Sequence, residues 1–326
     1  MSGALPDSQA LRDEATFFVV GTTRSGTSLL SLMLKNHPAI AYPGEFEWAV
    51  DFMPGPDSYP PVDAYVDWLS INRHYRHHRP HIDATLSYPD LVRSFLAQMK
   101  QEQAPHKPLV GMSVHRHFDR LLHLFPGARF VHIVRDPRDV ARSWIEFGWE
   151  GNGWAAGRAW ADVESLWDRI RPRIPGDRVH EVRFEDLVRD PPAELARLCS
   201  FFGIPYTDAM LRYPETSTYG PVDPNQVGKW RKTLPLREQR RVDGEIGAAL
   251  LASRGYEPCG APPLHAGPFA ARLLALDDWW RRLRKRIAMF GFGIWFCDQI
   301  AKALRLEGWH RRLELRRQAI VNASLK

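Results

Sequence analysis

Cysteine is scarce in this chain. Only three of its 326 residues are cysteines, namely Cys199, Cys259 and Cys297. Their number is odd and their spacing is wide, which excludes a disulfide framework and gives no pattern of zinc ligands. We therefore expect buried free thiols in a reducing compartment, with neither disulfide bonds nor a bound metal.

Long apolar segments are also lacking. The first residues show no basic segment followed by an apolar core, so the sequence predicts neither a signal peptide nor an N-terminal membrane anchor. The apolar run at residues 287–297 is about half of the ~20 residues that a spanning helix needs. These absences predict a cytoplasmic protein and leave open a peripheral contact at a membrane surface.

A glycine-containing turn follows the apolar residues 17–20. Gly21 and Gly26 have the spacing of a P-loop, in which backbone N–H groups and a helix N-terminus hold phosphate oxygens. A triphosphate site would have Lys after the second glycine, whereas this chain has Thr27 there and places its cation, Arg24, inside the loop. We therefore expect a single phosphate that carries a transferable oxyanion; an ordinary capped turn is the alternative. The candidate ligands are Thr22, Thr23, Arg24, Ser25, Gly26, Thr27 and Ser28.

A second strand-to-helix segment follows the same plan. Residues 129–134 read as a buried strand, and Pro137 after Asp136 is typical of the start of a helix. Arg135 would then lie at the carboxyl end of the strand, with Ser143 two turns into the helix and facing the same pocket. This pair could hold a second, separate phosphate.

Together these segments resemble the motifs of sulfotransferases that use 3′-phosphoadenosine-5′-phosphosulfate (PAPS). Residues 23–28 look like the family's 5′-phosphosulfate loop, and Arg135 with Ser143 looks like its 3′-phosphate motif. The resemblance covers residues 15–260 and is nearest to bacterial carbohydrate and tyrosylprotein branches, because a Pro-Gly-Glu segment ends at Glu45. It implies PAPS as co-substrate, adenosine 3′,5′-bisphosphate (PAP) as product, and no metal.

The resemblance also implies a role for Glu45. Sulfuryl transfer to a hydroxyl needs a base near the sulfate, and family members with a Gly-Glu pair at this distance from the loop use that Glu. Glu45 is therefore the expected general base and Arg24 the expected stabilising cation. The alternatives are that Glu45 only begins a solvated helix, or that Glu47, His115 or His117 is the base.

Two positions depart from the family pattern. The family's Lys near the transferred group is replaced by Ser113, so stabilisation of the leaving group would fall on Arg24, or on Arg116 or His115. The Tyr that contacts adenine in many relatives is Phe184 here, which keeps the stacking ring and loses the hydroxyl. A later segment that also resembles the family is expected to bind the nucleotide: Gly228, Lys229 and Trp230.

Strand and helix patterns alternate along the chain, which predicts an α/β fold with a parallel sheet flanked by helices. We expect an N-terminal extension (1–14), a sulfotransferase domain (15–262) with an acceptor-facing insertion (49–89), and a helical C-terminal extension (263–326). The predicted strands are 17–20, 109–113, 130–134 and 179–183, and the predicted helices are 27–36, 90–100, 138–147, 154–169 and 193–202.

Four histidines in the insertion could suggest a metal site. They are interleaved with arginines, and such cations disfavour a divalent ion nearby. We therefore expect a basic rim that attracts an acidic acceptor. Its members are Arg73, His74, Arg76, His77, His78, Arg79 and His81.

The C-terminal extension differs in composition from the rest of the chain. Residues 271–326 contain 13 Lys and Arg against 5 Asp and Glu, a net charge of +8. Apolar residues recur there at helical spacing, which predicts a basic, Trp-rich amphipathic helix. It could lie on an anionic membrane, pack on its own domain or form a homodimer. Nucleic acid is not expected, because no recognition motif is present.

The sequence thus predicts a sulfotransferase that moves a sulfuryl group from PAPS to a hydroxyl by in-line transfer. A carbohydrate or a glycolipid is the expected acceptor. Two other classes remain open: a P-loop nucleotide or sugar kinase, and a non-catalytic nucleotide-binding protein that docks on membranes.

Overall fold

A parallel β-sheet forms the centre of the computed structural model, which describes residues 13–304 and 306–324. Its five strands are β1 (Thr16–Val20), β2 (Ile40–Glu45), β3 (Leu109–Val114), β4 (Arg129–Val134) and β5 (Val179–Arg183). They lie in the order β2-β3-β1-β4-β5, and every pairing is parallel. The predicted α/β fold class is confirmed. The predicted N-terminal extension falls mostly outside the described residues.

α-Helices connect the strands and continue beyond them. They are α1 (Thr27–Lys35), α2 (Val62–Leu69), α3 (Arg73–His78), α4 (Tyr88–Gln103), α5 (Leu121–Leu124), α6 (Pro137–Phe147), α7 (Gly153–Ile170), α8 (Phe184–Arg189), α9 (Pro191–Phe202), α10 (Trp230–Thr233), α11 (Leu236–Ile246), α12 (Ala248–Ser253), α13 (Pro268–Phe290), α14 (Phe292–Ala303) and α15 (Glu307–Ser324). The five predicted helices are all present.

The central strand β1 is buried on both sides. Phe18 packs in a core with Phe95 of α4, whereas its neighbour Phe17 packs in a separate core with Leu30 of α1. Because successive side chains of a strand point to opposite faces, these two cores cover the two faces of the sheet. The polar ends of the strands are thereby left as the place for a site, as expected of a parallel sheet.

Strand β2 was not predicted from the sequence. It contains Pro43 and Gly44, which are rare inside central strands. The strand lies at the edge of the sheet, where a missing N–H donor is tolerated, and its register with β3 shifts between Ala41 and Gly44. This edge position places Glu45 at the carboxyl end of the sheet.

The insertion at residues 49–89 contains two short helices, α2 and α3, and the start of α4. Two buried tyrosines fasten it to the domain. The Tyr65 hydroxyl donates to the Trp48 carbonyl at 2.9 Å, and the Tyr88 hydroxyl donates to the Ala49 carbonyl at 2.8 Å. The insertion is therefore fixed directly after β2 and beside Glu45.

The C-terminal extension packs on the rest of the chain at both of its ends. Asp278 of α13 accepts a hydrogen bond from the Gly151 N–H at 2.6 Å. In α15, the Gln318 amide donates to the Ile71 carbonyl at 2.9 Å and accepts from Arg76 at 3.2 Å. Packing on its own domain, one of the three predicted roles, is therefore present. Across the described residues, every helix is too short or too polar to cross a membrane.

Candidate functional site

The loop between β1 and α1 has a backbone that only glycine can adopt at two positions. Gly21 has a φ of +142°, and a Cβ there would lie 2.2 Å from the Ile133 carbonyl oxygen. Gly26 has a φ of +97°, and a Cβ there would lie 2.2 Å from the Phe184 ring. Between them Arg24 also has a positive φ, +69°. The loop is therefore held tightly against β4 and α8.

The loop leaves the N-terminus of α1 available to an anion. Gly26 occupies the N-cap position and has no side chain that could accept from the first N–H groups of the helix. Thr22 and Ser25 are buried and hydrogen-bond to each other, so they brace the loop from within. Thr23 accepts from the Trp144 indole at 3.0 Å. The loop therefore presents backbone donors and the exposed Ser28 side chain to the cleft.

Arg135 is a buried cation with only neutral partners. Its guanidinium donates to the carbonyls of Arg24 at 3.1 Å and Gln226 at 2.6 Å, and lies 4.1 Å from the centre of the Phe184 ring. Its Nε is buried and has no hydrogen-bond partner among the described residues. Burial lowers the pKa of the guanidinium, an effect that Asp139 and Glu185 partly offset from longer range. Such a group is suited to bind an anion.

Ser143 lies two turns into α6, but its hydroxyl faces a different arginine. Arg24 donates from Nε to the Ser143 Oγ at 2.9 Å. The Arg24 guanidinium also lies 4.4 Å from the centre of the Phe147 ring. Arg24 and Arg135 are therefore joined through the Arg24 carbonyl, and Ser143 touches the first of them.

Glu45 is the accessible carboxylate at the carboxyl end of β2. Its side chain is 46% exposed, and its Oε2 lies 3.3 Å from Nε2 of His74 in α3. In the sheet it pairs with Ser113 of β3, whose hydroxyl is within 2.8 Å of the Tyr42 hydroxyl and so faces away from solvent. The Glu45 carboxylate is thus accessible from solvent, whereas the Ser113 hydroxyl forms its hydrogen bond inside the protein.

Glu47, the alternative base, is buried and committed to His115. Its Oε1 hydrogen-bonds to His115 Nδ1 and also accepts from the His115 backbone N–H at 3.2 Å. On its other side, His115 Nε2 is 3.0 Å from the Thr27 Oγ1 of the phosphate loop. A chain of hydrogen bonds therefore runs from Glu47 through His115 to the loop.

The Glu47–His115 pair favours its ionised form. Burial would lower the pKa of His115, but the hydrogen bond and the charge of Glu47 outweigh it and raise that pKa. Burial would likewise raise the pKa of Glu47, and the same hydrogen bond and charge lower it instead. The pair thus places a positive charge next to Thr27.

His117, the remaining alternative base, and Arg116, an alternative stabiliser of the leaving group, do not line the cleft that holds the loop. The pKa of His117 is lowered by its partial burial and by Arg120, and its backbone has a φ of +53°. Arg116 forms a two-pronged ion pair with Asp51, with Nε 2.8 Å from Oδ1 and a second contact of 2.5 Å.

A cleft of about 400 Å³ is lined by residues of the loop, by Glu45 and by Arg135. Trp149 and the segment 219–223 close its sides, together with Tyr213 and Gln226. This segment was not singled out from the sequence, because it has no periodicity or motif. The predicted site residues that line the cleft are Thr23, Arg24, Gly26, Thr27, Ser28, Glu45, Arg135 and Phe184.

The predicted residues 228–230 lie behind the cleft rather than in its lining. Asp139 accepts from the backbone N–H groups of Gly228 at 2.7 Å and Trp230 at 2.8 Å. The Trp230 indole is buried and donates to Asp136 at 3.0 Å. Lys229 directly precedes α10. The structure thus fixes this segment to the helix that follows Arg135.

The donor set of the cleft is cationic and rich in N–H groups. Two arginines, a helix N-terminus and an aromatic ring fit a nucleotide with phosphates at two places, and the partnerless Nε of Arg135 is left for an anionic oxygen. Within the described residues, no group of three or more His, Cys, Asp or Glu side chains could hold a metal ion.

The chain is similar in sequence to known proteins. A model of the sulfotransferase family matches residues 16–208. Protein-tyrosine sulfotransferase 1 of Danio rerio is 26% identical over 301 residues, covering 84% of this chain and 80% of that protein. Carbohydrate sulfotransferase 5 of Homo sapiens is 30% identical over 166 residues, covering 40% of each chain. The names of these two relatives specify different acceptors, protein tyrosine and carbohydrate.

A solved structure has the same fold. The sulfotransferase domain from the Synechococcus PCC 7002 olefin synthase has a TM-score of 0.57 at 22% identity, covering 74% of this chain and 94% of that one. The family match spans more than half of the chain and contains the phosphate loop, Glu45 and Arg135. The chain therefore belongs to the sulfotransferase family, as an enzyme that uses PAPS as its co-substrate.

Proposed function

We propose that this enzyme transfers the sulfuryl group of PAPS to a hydroxyl of a carbohydrate, either free or as the head of a glycolipid, with Glu45 as general base. The observation that carries the proposal is that an accessible carboxylate, Glu45, lines the same cleft as the phosphate loop. The sequence alone left open a kinase and a non-catalytic nucleotide-binding protein. Membership of the sulfotransferase family favours a sulfotransferase over both.

Two poles of the cleft would hold the co-substrate. The N–H groups of residues 26–28 and the Arg24 guanidinium are suited to the 5′-phosphosulfate. Arg135 would take the 3′-phosphate with its free Nε, and Ser143 would join it if Arg24 turns towards the sulfate. Phe184, already stacked with Arg135, would contact the adenine. Residues 228–230 would support the 3′-phosphate pole through Asp139.

The chemistry requires that one proton moves and one bridging oxygen gains charge. PAPS supplies an activated sulfuryl group whose bond to the 5′-phosphate breaks as the acceptor oxygen bonds to sulfur. Glu45 would take the acceptor's proton, since its carboxylate faces the cleft. Arg24 and the charged His115 would stabilise the departing phosphate, because Ser113 replaces the family's Lys.

A second cavity next to Glu45 is suited to the acceptor. It has a volume of about 450 Å³ and includes His74, whose ring touches Glu45. Trp68 and Phe290 give it apolar faces, and amide and charged side chains of α3 and α15 give it polar groups. Aromatic faces combined with many hydrogen-bonding groups match a sugar ring, which has both kinds of surface.

The basic rim adds a preference for acidic sugars. Arg73 lines the second cavity, and Arg76 and Arg79 follow on the same short helix or at its end. Carbohydrate sulfotransferase 5 and protein-tyrosine sulfotransferase 1 name the two acceptor classes that should be compared. The polar character of the cavity favours the carbohydrate.

A transfer assay with radiolabelled PAPS tests the proposal. Glycans with and without uronic acids would be compared with tyrosine-containing peptides. We expect label on glycans, and Glu45→Gln should lower kcat by about 10²–10⁴-fold without changing the affinity for PAP. Glu102→Gln, on an exposed position of α4, is the matched control and should keep full activity.

Two results would overturn the proposal. If only the tyrosine-containing peptides were labelled, the acceptor would be tyrosine rather than a carbohydrate. Full activity of Glu45→Gln would remove Glu45 as the base.

A further inference from the structure

Helix α13 is packed with its polar side towards the protein. Asp278 is buried and accepts from the Gly151 N–H, and Asp277 accepts from the Asn152 amide at 2.9 Å. Two turns further on, Lys285 donates to the Glu146 carbonyl at 3.0 Å. These bonds join α13 to the end of α6 and to the segment between α6 and α7. An amphipathic helix on a globular protein normally buries its apolar stripe instead.

The apolar stripe of α13 faces outward. Phe269, Leu273, Leu276 and Trp280 follow one another at spacings of four, three and four residues, so they share one side of the helix. Their exposures are 74%, 51%, 63% and 54%. The neighbouring Trp279 is exposed as well. The stripe is continuous over the three turns of residues 269–280, and it ends there because Leu283, the next apolar residue on this side, is buried.

Helix α14 also exposes apolar side chains. Phe292 and Phe296 are one turn apart, both are exposed, and their rings stack at 5.7 Å. Of the fifteen large apolar side chains that are exposed in the described part of the chain, ten lie between residues 269 and 306. Monomeric soluble proteins rarely concentrate apolar exposure in this way.

Cations border this stripe. At 3.6 residues per turn, Arg272 and Arg284 fall on opposite edges of the row formed by the four apolar residues. Both arginines are exposed, and neither has a carboxylate within 4.0 Å in the described structure. Arg281 and Arg282, by contrast, pair with Asp277 and Asp278 on the inner side. The outer face is therefore apolar at its centre and positive at its edges.

We propose that the α13–α14 face docks on the surface of an anionic phospholipid bilayer. Tryptophan and phenylalanine side chains settle at the level of the headgroups, and flanking arginines bind lipid phosphates. A second copy of the chain would bring the same unpaired arginines against these ones, so charge favours the bilayer over a homodimer. The proposal concerns attachment only, and it stands or falls independently of the acceptor proposed above.

Vesicle sedimentation with the full chain tests this docking. Vesicles of phosphatidylcholine alone would be compared with vesicles that also contain phosphatidylglycerol. We expect the protein to pellet with the anionic vesicles and to return to the supernatant in high salt, because surface charge attraction is screened. The double variant Leu276→Glu with Trp280→Glu should lower binding by about tenfold or more.

Matched controls separate docking from general effects of charge. Leu236→Glu adds one negative charge at an exposed leucine at the start of α11 and should bind vesicles like the wild type, whereas the single variant Leu276→Glu, with the same charge, should bind less. Arg272→Gln with Arg284→Gln should weaken binding to anionic vesicles, whereas Arg237→Gln, also exposed, should not.

Any of three results would overturn the proposal. One is a wild-type protein that stays in the supernatant with anionic vesicles. Another is a Leu276→Glu, Trp280→Glu variant that folds and binds as well as the wild type. The third is a stable dimer in solution that this variant dissociates, which would assign the face to a second copy.

Discussion

Two arginines three residues apart, Arg135 and Arg138, are both buried and have opposite surroundings. Arg138 is 2% exposed and is held by the Asp136 carboxylate through contacts of 2.9 and 3.0 Å, with Asp243 at 3.6 Å. Arg135 is 7% exposed, has carbonyls and a ring as partners, and has no carboxylate within 4.0 Å in the described residues. The charge of Arg138 is neutralised within the fold, and the charge of Arg135 is not.

The carboxylates nearest to Arg135 explain this difference. Asp139 uses both oxygens on the backbone of residues 228–230, and Glu185 accepts from the Asp136 N–H at 2.9 Å and from the Tyr256 hydroxyl at 2.9 Å. Each acid is thus engaged with a donor other than Arg135. The comparison teaches that a buried cation identifies a binding site when its neighbouring acids are already occupied.

The largest expected effect is on the structural member of the pair. Arg138→Met should lower the free energy of unfolding by about 3–5 kcal/mol, because Asp136 and Asp243 would remain buried without their cation. Chemical denaturation measures it. A loss below about 1 kcal/mol would show that Arg138 is no more structural than Arg135.

The next largest effect is expected on nucleotide affinity when Arg135 is replaced. Arg135→Met should lower the affinity for PAP by about 2–4 kcal/mol, roughly 30- to 1,000-fold, because the 3′-phosphate would lose its charged partner. The free energy of unfolding should change by only about 1–2 kcal/mol, since two carbonyls lose a donor but no carboxylate is stranded. Calorimetric titration and denaturation of one preparation give both values. If Arg135→Met and Arg138→Met lost the same free energy of unfolding, the two arginines would not differ in their structural role.

A smaller effect is expected for a second buried ion pair, Glu47–His115, whose contribution to stability should depend on pH. The raised pKa of His115 contributes stability that is fully present below its ordinary value of 6.5 and is lost as pH rises through the raised value. The lowered pKa of Glu47 contributes stability that is present above 4.5 and is lost as pH falls through the lowered value. The pair should therefore stabilise the fold most between these two pH values.

Thermal unfolding of the wild type and His115→Gln over this range measures the effect. The difference in Tm should be largest near pH 5.5 and should narrow as the solution becomes alkaline. A difference that stays constant with pH would mean that His115 is neutral in the fold.

The smallest expected effect is on the ring beneath Arg135. Phe184→Leu keeps an apolar side chain but removes the cation–π contact at 4.1 Å and the stacking surface. PAP affinity should fall by about two- to fivefold. The affinity for inorganic phosphate should not change, and a similar fall for phosphate would place the effect on Arg135 rather than on adenine.

The fold was predictable where local pattern decides it. The four strands and five helices read from the sequence are present, because each combines an apolar period with a suitable start or end. Strand β2 was missed because Pro43 and Gly44 read as a turn, and only the edge position makes them acceptable. The outward orientation of α13 could not be predicted, since a period identifies the apolar face but not which face is buried.

The sequence motifs of the site were predictable, but the side-chain contacts between distant residues were not. The loop glycines, Glu45 and Arg135 were identified from spacing and resemblance, and Gly26, Glu45 and Arg135 line one cleft. The contact of Arg24 with Ser143 joins residues 119 positions apart, and the Glu47–His115 bond joins residues 68 apart. Such contacts depend on how the strands are ordered in the sheet, which a single sequence does not specify.

Calorimetric titration of the wild-type chain with PAP and, separately, with adenosine 5′-monophosphate tests the central claim most directly. If Arg135 is a charge left for the 3′-phosphate, PAP should bind about 30-fold or more tightly than the monophosphate, and Arg135→Met should remove the preference. Equal affinities of the wild type for the two nucleotides would contradict the account.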